Sequence, residues 1–336
     1  MTTIAIDRVD AEYREILQQI PMLQLTAGTL GEARSAMVDM FINLLPSSDA
    51  SPVRPRLISG APLILFEPAI RSEGLRAAIL YIHSGGFVMG SAAMMNGYCA
   101  RLADELGVVV VSVDYRLAPE TPFPGPLEDC YDGLKWLFDN ADELNVDTGR
   151  VAVMGDSGGG GLAAALCLLA RDRGGPQPSV QLLMYPMLDC RAGAAQEPSP
   201  NPFTGDFLWT RSMNQFGWNA MRGEQELTAE QLGYFSPSLA QDFSSLPAAF
   251  IGVGTLDLFV DECLAFGHAL VRAGVPVELR TYPGCFHGFD RLPGTLSESF
   301  ERDLFAAIRR FLQLGPRDQA ANQTVQTQAN DQKEGE

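Results

Sequence analysis

Short runs of apolar, β-branched residues alternate with amphipathic stretches along most of the chain. The runs predict strands at residues 77–83, 108–115, 151–156, 180–185, 248–253 and 277–282, and the stretches predict helices at 96–106, 127–138, 158–173, 261–273 and 297–313. Each predicted strand is nearly continuously apolar, which is typical of a parallel sheet that helices bury on both faces. The sequence therefore predicts an α/β fold with a mostly parallel central sheet flanked by helices.

Two segments do not follow this alternation. Residues 1–50 show helical spacing of apolar positions, and residues 190–236 form a long insertion that contains several aromatic side chains. We interpret both as a helical cap over the carboxyl ends of the strands, with an ordinary extra helical layer as the alternative. Residues 51–314 then form the main domain, and the polar segment 315–336 is predicted to be a disordered tail.

Composition and charge narrow the classes of partner. Hydrophobic residues make up 46% of the 336 residues, which indicates a globular chain with a sizeable core. The 24 Lys and Arg residues against 41 Asp and Glu residues give a net charge of −17, which argues against nucleic acid or an anionic membrane as a partner. No apolar run is long enough to span a membrane, and the first twelve residues are too charged for a signal peptide. Six cysteines without a C-x-x-C pair and only three histidines predict reduced thiols in the cytoplasm and no metal site.

The strongest chemical signal is a glycine-rich motif that follows one predicted strand and opens a helix, Gly155-Asp156-Ser157-Gly158-Gly159. A G-x-S-x-G sequence in that context is typical of a nucleophile elbow, where small residues let the backbone turn tightly around a serine. The amino terminus of the following helix helps to stabilise negative charge that develops beside it. Ser157 is therefore the candidate nucleophile, and Asp156 supports the motif.

A second glycine-rich loop follows the strand at 77–83 and reads His83-Ser84-Gly85-Gly86-Phe87. An acyl-transfer site needs backbone N–H donors for the oxyanion of its tetrahedral intermediate. We predict that the amides of Gly85, Gly86 and Gly158 are these donors, the last because it follows the nucleophile. Taken alone, the loop could also be a simple turn.

The serine needs a base, and the base needs a carboxylate. His287 lies in a loop after the strand at 277–282, where α/β folds place reactive side chains, whereas His268 lies in a predicted helix. Asp257 follows the strand at 248–253 and gives the order Ser, Asp, His that is known for one class of triad. Asp261, one helical turn further on, is the competing acid.

Together these residues resemble the hormone-sensitive-lipase-like family of α/β-hydrolase esterases, bacterial family IV. The resemblance covers about residues 60–313 and rests on five motifs in the family's order, namely His83-Ser84-Gly85-Gly86, Asp114-Tyr115-Arg116-Leu117-Ala118-Pro119-Glu120, Gly155-Asp156-Ser157-Gly158-Gly159-Gly160, Asp257-Leu258-Phe259-Val260-Asp261-Glu262 and His287-Gly288-Phe289. It implies an α/β-hydrolase catalytic domain with a helical cap and no cofactor. It also implies a homodimer that forms through an edge strand and the last helix.

Two positions depart from the family's pattern. Ser84 stands where the family has a glycine, which costs strain if that position needs a positive φ. Gly158 stands where the family has an alanine, which predicts a roomier pocket with the backbone amide retained.

The function that the resemblance implies is that of a serine carboxylesterase acting on short-to-medium acyl esters of small molecules. The same triad could cleave an amide, a carbonate or another specialised ester, and a chain of this fold could instead be a small-molecule receptor. Phe87, Met40, Trp209 and Phe216 are the candidates for the substrate pocket, although each could equally be a core residue.

Overall fold

The computed structural model describes residues 6–20, 24–44, 56–58, 62–70, 74–195 and 197–315, without the side chains of residues 39–44, 57 and 58. Within these ranges eight strands form one sheet: β1 (Arg56–Ile58), β2 (Leu63–Phe66), β3 (Arg76–Ile82), β4 (Val109–Val113), β5 (Val146–Asp156), β6 (Val180–Met184), β7 (Ala248–Gly254) and β8 (Val277–Tyr282). The spatial order is β1-β2-β4-β3-β5-β6-β7-β8. The six strands from β3 to β8 are mutually parallel, whereas β2 pairs antiparallel with both β1 and β4.

The prediction of a mostly parallel sheet is confirmed, because all six predicted strands are present. β1 and β2, which have three and four residues, are not predicted from the sequence. Runs this short carry no periodicity that separates a strand from a loop. The strand predicted at 151–156 is longer than expected and begins at Val146.

Helices cover both faces of the sheet. The described helices are α1 (Arg14–Gln19), α2 (Leu30–Leu44), α3 (Asn96–Leu106), α4 (Gly125–Asp139), α5 (Gly158–Asp172), α6 (Arg211–Arg222), α7 (Ala229–Phe235), α8 (Val260–Arg272) and α9 (Thr295–Phe311). α3 and α9 lie side by side on one face, where Arg101 pairs with Glu301, while α4, α5 and α8 cover the other. The five predicted helices are confirmed. None of the helices in the described ranges is long and apolar enough to cross a membrane.

The two segments outside the alternation each contribute helices, joined by turns and loops. The N-terminal segment contributes α1 and α2, and the insertion at 190–236 contributes α6 and α7. α6 reaches the carboxyl end of the sheet, since a Cβ on Gly217 would lie 2.7 Å from the carbonyl oxygen of Gly86. The predicted disordered tail lies outside the described residues from 316 onward, as do residues 1–5, 21–23 and 45–55 of the N-terminal region.

Candidate active site

Ser157 lies at the turn between β5 and α5, where its backbone adopts φ 57° and ψ −120°. A serine rarely adopts this conformation, so surrounding contacts must hold the turn in place. The amide of Ser157 donates to the carbonyl oxygen of Met184 at 2.9 Å, and the amide of Met187 donates back to the carbonyl oxygen of Ser157 at 3.0 Å. A Cβ on Gly155 would lie 2.3 Å from the carbonyl oxygen of Gly159, so the elbow requires a glycine there.

The side chains of Ser157, His287 and Asp257 form one chain of hydrogen bonds. His287 Nε2 lies 2.9 Å from Ser157 Oγ, and His287 Nδ1 lies 2.8 Å from Asp257 Oδ2. Asp257 is fully buried, and its other oxygen accepts the amide of Phe259 at 2.9 Å. With Nδ1 donating to the carboxylate, Nε2 is the free acceptor for the serine proton. The arrangement can therefore turn Ser157 into a nucleophile.

Asp261, the competing acid, and His268, the histidine on a helix, lie apart from these hydrogen bonds. Asp261 is exposed on α8, and its carboxylate accepts a hydrogen bond from Asn201 Nδ2 at 2.9 Å. His268 is exposed on the same helix. The structure thus brings Asp257, and not Asp261, to His287.

Aromatic side chains surround the imidazole of His287. The rings of Tyr185 and Phe259 meet it edge-on at centroid distances of 4.9 and 5.1 Å, and the indole of Trp209 lies 6.2 Å away. These contacts restrict the rotation of the imidazole and exclude water, which strengthens its hydrogen bonds. These two contacts are not predicted from the sequence, because Tyr185 ends an apolar run and Phe259 lies within one, so neither residue carries a separate signal.

The glycine-rich loop at residues 83–87, which we call the oxyanion loop, packs with its backbone against the backbone of the elbow. Gly85 and Gly86 adopt φ values of 128° and 58°, which glycine tolerates at no steric cost. A Cβ on Gly158 would lie 3.0 Å from the amide nitrogens of both Gly86 and Phe87. The structure therefore brings the backbone of Gly158 against the amide nitrogens of Gly86 and Phe87, with Gly85 one residue earlier in the loop. Backbone N–H groups in this arrangement can bind an oxyanion.

The side chain of His83 contacts the backbone of the same loop. Its ring stacks on Tyr115 at 4.1 Å, and its Nδ1 lies 2.8 Å from the carbonyl oxygen of Ser84. Burial lowers the pKa of His83, so the ring is neutral and Nδ1 donates to that oxygen. Ser84 does not have a positive φ, so a serine at this position of the loop costs no backbone strain.

Trp209 lies directly against the oxyanion loop. A Cβ on Gly86 would fall 2.2 Å from the edge of the Trp209 indole. The indole Nε1 donates to Asn214 Oδ1 at 3.1 Å, and the buried Asn214 in turn donates to the carbonyl oxygen of Ala192 at 2.8 Å. This chain of hydrogen bonds holds the indole rigidly between the loop and His287.

The other predicted pocket residues occupy different surroundings. Phe87 is buried, and its ring meets that of Trp218 on α6 at 5.0 Å. Phe216 is half-buried on α6 and packs at the edge of the hydrophobic core. The side chain of Met40 lies outside the described residues. In the described ranges no group of three His, Cys, Asp or Glu side chains is placed to hold a metal ion.

Most of the chain is similar to known proteins in sequence and in structure. Residues 79–291 match a family model described as the alpha/beta hydrolase fold. The esterase LipI of Mycobacterium tuberculosis is 35% identical over 241 residues, which cover 71% of this chain and 73% of LipI. The carboxylesterase NlhH of the same species is 31% identical over 293 residues, which cover 85% of this chain and 90% of NlhH. The solved structure of a bacterial heroin esterase, 34% identical, superposes with a TM-score of 0.83 and covers 91% of this chain and 99% of its own.

Proposed function

Since the chain belongs to the α/β-hydrolase fold family, in its hormone-sensitive-lipase-like branch, we propose that Ser157, His287 and Asp257 catalyse the hydrolysis of short-to-medium acyl esters. The chain is a serine carboxylesterase, as its esterase relatives and its fold indicate. One observation carries the assignment of the residues, the continuous hydrogen bonding from Asp257 through His287 to Ser157 Oγ.

The reaction follows from these positions. Ser157 Oγ attacks the ester carbonyl carbon while His287 Nε2 takes its proton, and Asp257 stabilises the imidazolium that forms. The amides of Gly85, Gly86 and Gly158 bind the oxyanion of the tetrahedral intermediate. His287 then protonates the departing alcohol, which leaves an acyl group on Ser157. A water molecule, deprotonated by His287, attacks this acyl group and releases the acid and the free serine.

We assign the N-terminal segment and the insertion to a cap over this site. Arg34 on α2 donates through Nε to the carbonyl oxygen of Val88 at 2.8 Å and through Nη2 to that of Ala118 at 3.1 Å. α6 lies against Gly86, as the close approach of Gly217 shows. The insertion therefore contacts the oxyanion loop and α2 contacts Val88 directly after it, and Trp209 from the insertion limits the space for the group that enters beside it.

Two further properties extend this proposal. β8 lies at the edge of the sheet, which leaves one side of it available for a homodimer formed with the last helix. All six cysteines are unpaired thiols, which supports the cytoplasmic location expected from the sequence.

The test compares the wild type with Ser157→Ala on p-nitrophenyl acyl esters from C2 to C12, and on an anilide and a carbonate of matched acyl size. We expect turnover that is highest at a short or medium chain and that falls by roughly 10⁴- to 10⁶-fold in Ser157→Ala. Turnover of the anilide or carbonate in preference to every ester would favour the alternative leaving groups. Absence of wild-type turnover on all three classes would instead favour a receptor.

A further inference from the structure

A buried carboxylate stands directly before the nucleophile. Asp156 is the last residue of β5 and is 1% exposed. One of its oxygens accepts the hydroxyl of Tyr81 at 2.6 Å, and the other accepts Nη2 of Arg291 at 3.1 Å. Since Asp156 precedes Ser157 by one residue, these two contacts hold the chain directly beside the elbow.

The guanidinium that meets Asp156 comes from the loop that carries the base. Arg291 ends a short 3₁₀ helix (Phe289–Arg291) that begins two residues after His287. Its guanidinium carbon lies 4.8 Å from the ring centroid of Tyr98, and its Nε lies 3.4 Å from Asp290 Oδ2. The Arg291 side chain is 10% exposed, so water competes little for its contacts.

We infer that Arg291 is a positioning residue that ties the loop of His287 to the elbow of Ser157 through Asp156. The inference rests on the proposed function and deepens it. His287 stands on a loop that turns through Gly288 at φ 72°, so no strand fixes its height above the sheet. Its 2.9 Å contact with Ser157 Oγ tolerates only a few tenths of an ångström of drift. The pair of Asp156 and Arg291 joins the two segments within a few residues of both reacting groups.

A buried ion pair is by itself weak evidence of a role in stability. Replacing a buried ion pair by apolar groups of similar volume is often neutral, whereas removing one partner leaves a buried charge without compensation. A loss of folding alone would therefore say nothing about positioning. The test must separate the rate of the chemical step from the stability of the fold.

The first experiment compares Arg291→Met and Arg291→Lys with a matched control, Arg76→Met. Arg76 is also buried and pairs with Glu67, but it lies at the amino end of β3, whereas the site lies at the carboxyl ends of the strands. We measure kcat and KM on p-nitrophenyl butyrate, referred to folded protein by circular dichroism, together with Tm. We expect Arg291→Met to lower kcat roughly 10- to 100-fold with KM within about twofold. Arg291→Lys, which keeps the charge, should recover part of the loss, and Arg76→Met should lower Tm alone.

The second experiment uses Asp156→Asn, which keeps the size of the side chain and serves if Arg291→Met does not fold. If Arg291 acts through Asp156, the double variant Asp156→Asn/Arg291→Lys loses no more kcat than the worse single variant. Independent, multiplying losses would overturn the inference, as would an unchanged kcat in folded Arg291 variants. An inactive wild type would instead overturn the proposed function, so the two failures are distinguishable.

Discussion

The amide nitrogen of Gly86 lies only 3.0 Å from the point where Gly158 would carry a Cβ. A methyl group there is tighter than ordinary contacts allow, so the oxyanion loop must retreat by a few tenths of an ångström to admit it. We therefore expect Gly158→Ala to lower kcat by roughly tenfold, since the loss of one oxyanion donor outright costs about 10²–10³. Steady-state kinetics on p-nitrophenyl butyrate measures the effect.

Gly31→Ala is the control for this substitution. Gly31 lies in α2 with open space around its Cβ position, so the added methyl group contacts nothing. This variant should keep the wild-type kcat and gain a few tenths of a kcal/mol to about 1 kcal/mol in stability. Equal kcat in Gly158→Ala and the wild type would contradict the prediction, because it would mean that the loop moves aside without any loss of oxyanion binding.

The elements near Gly158 show what a sequence predicts well. The elbow and the six parallel strands follow from local patterns, because a buried parallel strand is a continuous apolar run and a tight turn requires small residues. The order Ser157, Asp257, His287 was accessible because each residue follows its own predicted strand. Parallel strands bring such ends to one edge of the sheet.

The surroundings of the triad depend on contacts between distant segments, which local patterns do not encode. In the sequence nothing distinguishes Gly217 from any other residue of a helix, and only the structure shows that it packs against Gly86. Arg291 reads as a surface charge, yet it is buried against Asp156, which lies 135 residues earlier in the chain. Neither the approach of a helix to a loop nor the partner of a charge follows from spacing or composition.

Trp209 should set the size of the group that the site admits, because its indole is held rigidly between Gly86 and His287. We expect Trp209→Leu to shift the preferred p-nitrophenyl ester by about two to four carbons toward longer chains, since the smaller side chain opens the wall. Rates across the C2 to C12 series measure the shift. Phe216→Leu, on the same insertion but at the edge of the core, should keep the wild-type preference. A shift of equal size in both variants would contradict a specific role for Trp209.

The pair of Arg34 and Glu120 should make part of the stability depend on acidic pH. The hydrogen bond from Arg34 lowers the pKa of Glu120 from 4.5 to about 2. A lowered carboxyl pKa adds stability above pH 4.5 that is lost as the pH falls toward 2. Because the Glu120 side chain is 61% exposed, solvent screens the pair, and we expect Glu120→Gln to lower Tm by only about 1–2 °C at neutral pH.

The difference in Tm between the wild type and Glu120→Gln should shrink as the pH falls from 4.5 toward 2, and added salt should reduce it at neutral pH. Arg34→Met should instead lower Tm at every pH, since it also loses the hydrogen bonds to the carbonyl oxygens of Val88 and Ala118. A constant difference for Glu120→Gln across this range would rule out the ion pair as its cause.

Glu262 should show the opposite dependence on pH. Burial raises the pKa of this carboxyl well above 4.5, and although Oε1 accepts the amide of Leu188 at 2.5 Å, Oε2 has no described partner. A raised carboxyl pKa gives stability that is complete below pH 4.5 and is lost as the pH rises through the folded-state pKa. We therefore expect Glu262→Gln, which cannot ionise, to match the wild type in Tm at acidic pH and to exceed it increasingly above. Tm measured by calorimetry from acidic to mildly alkaline pH tests this, and a variant that loses stability relative to the wild type as the pH rises would refute it.

Asp257 and Asp261 offer a matched pair of substitutions that tests the acid of the triad. Asp257 Oδ2 holds His287 Nδ1 at 2.8 Å, whereas the exposed Asp261 contacts Asn201. An amide at position 257 can present its NH₂ group to Nδ1, which would favour the tautomer whose Nε2 carries the proton and cannot accept the one from Ser157. We expect Asp257→Asn to lower kcat by about 10⁴ and Asp261→Asn to leave it within about twofold. Each variant removes one carboxylate, and the two positions lie four residues apart. A comparable loss of kcat in the two variants would therefore assign the effect to the fold of the turn and not to the tautomer of His287.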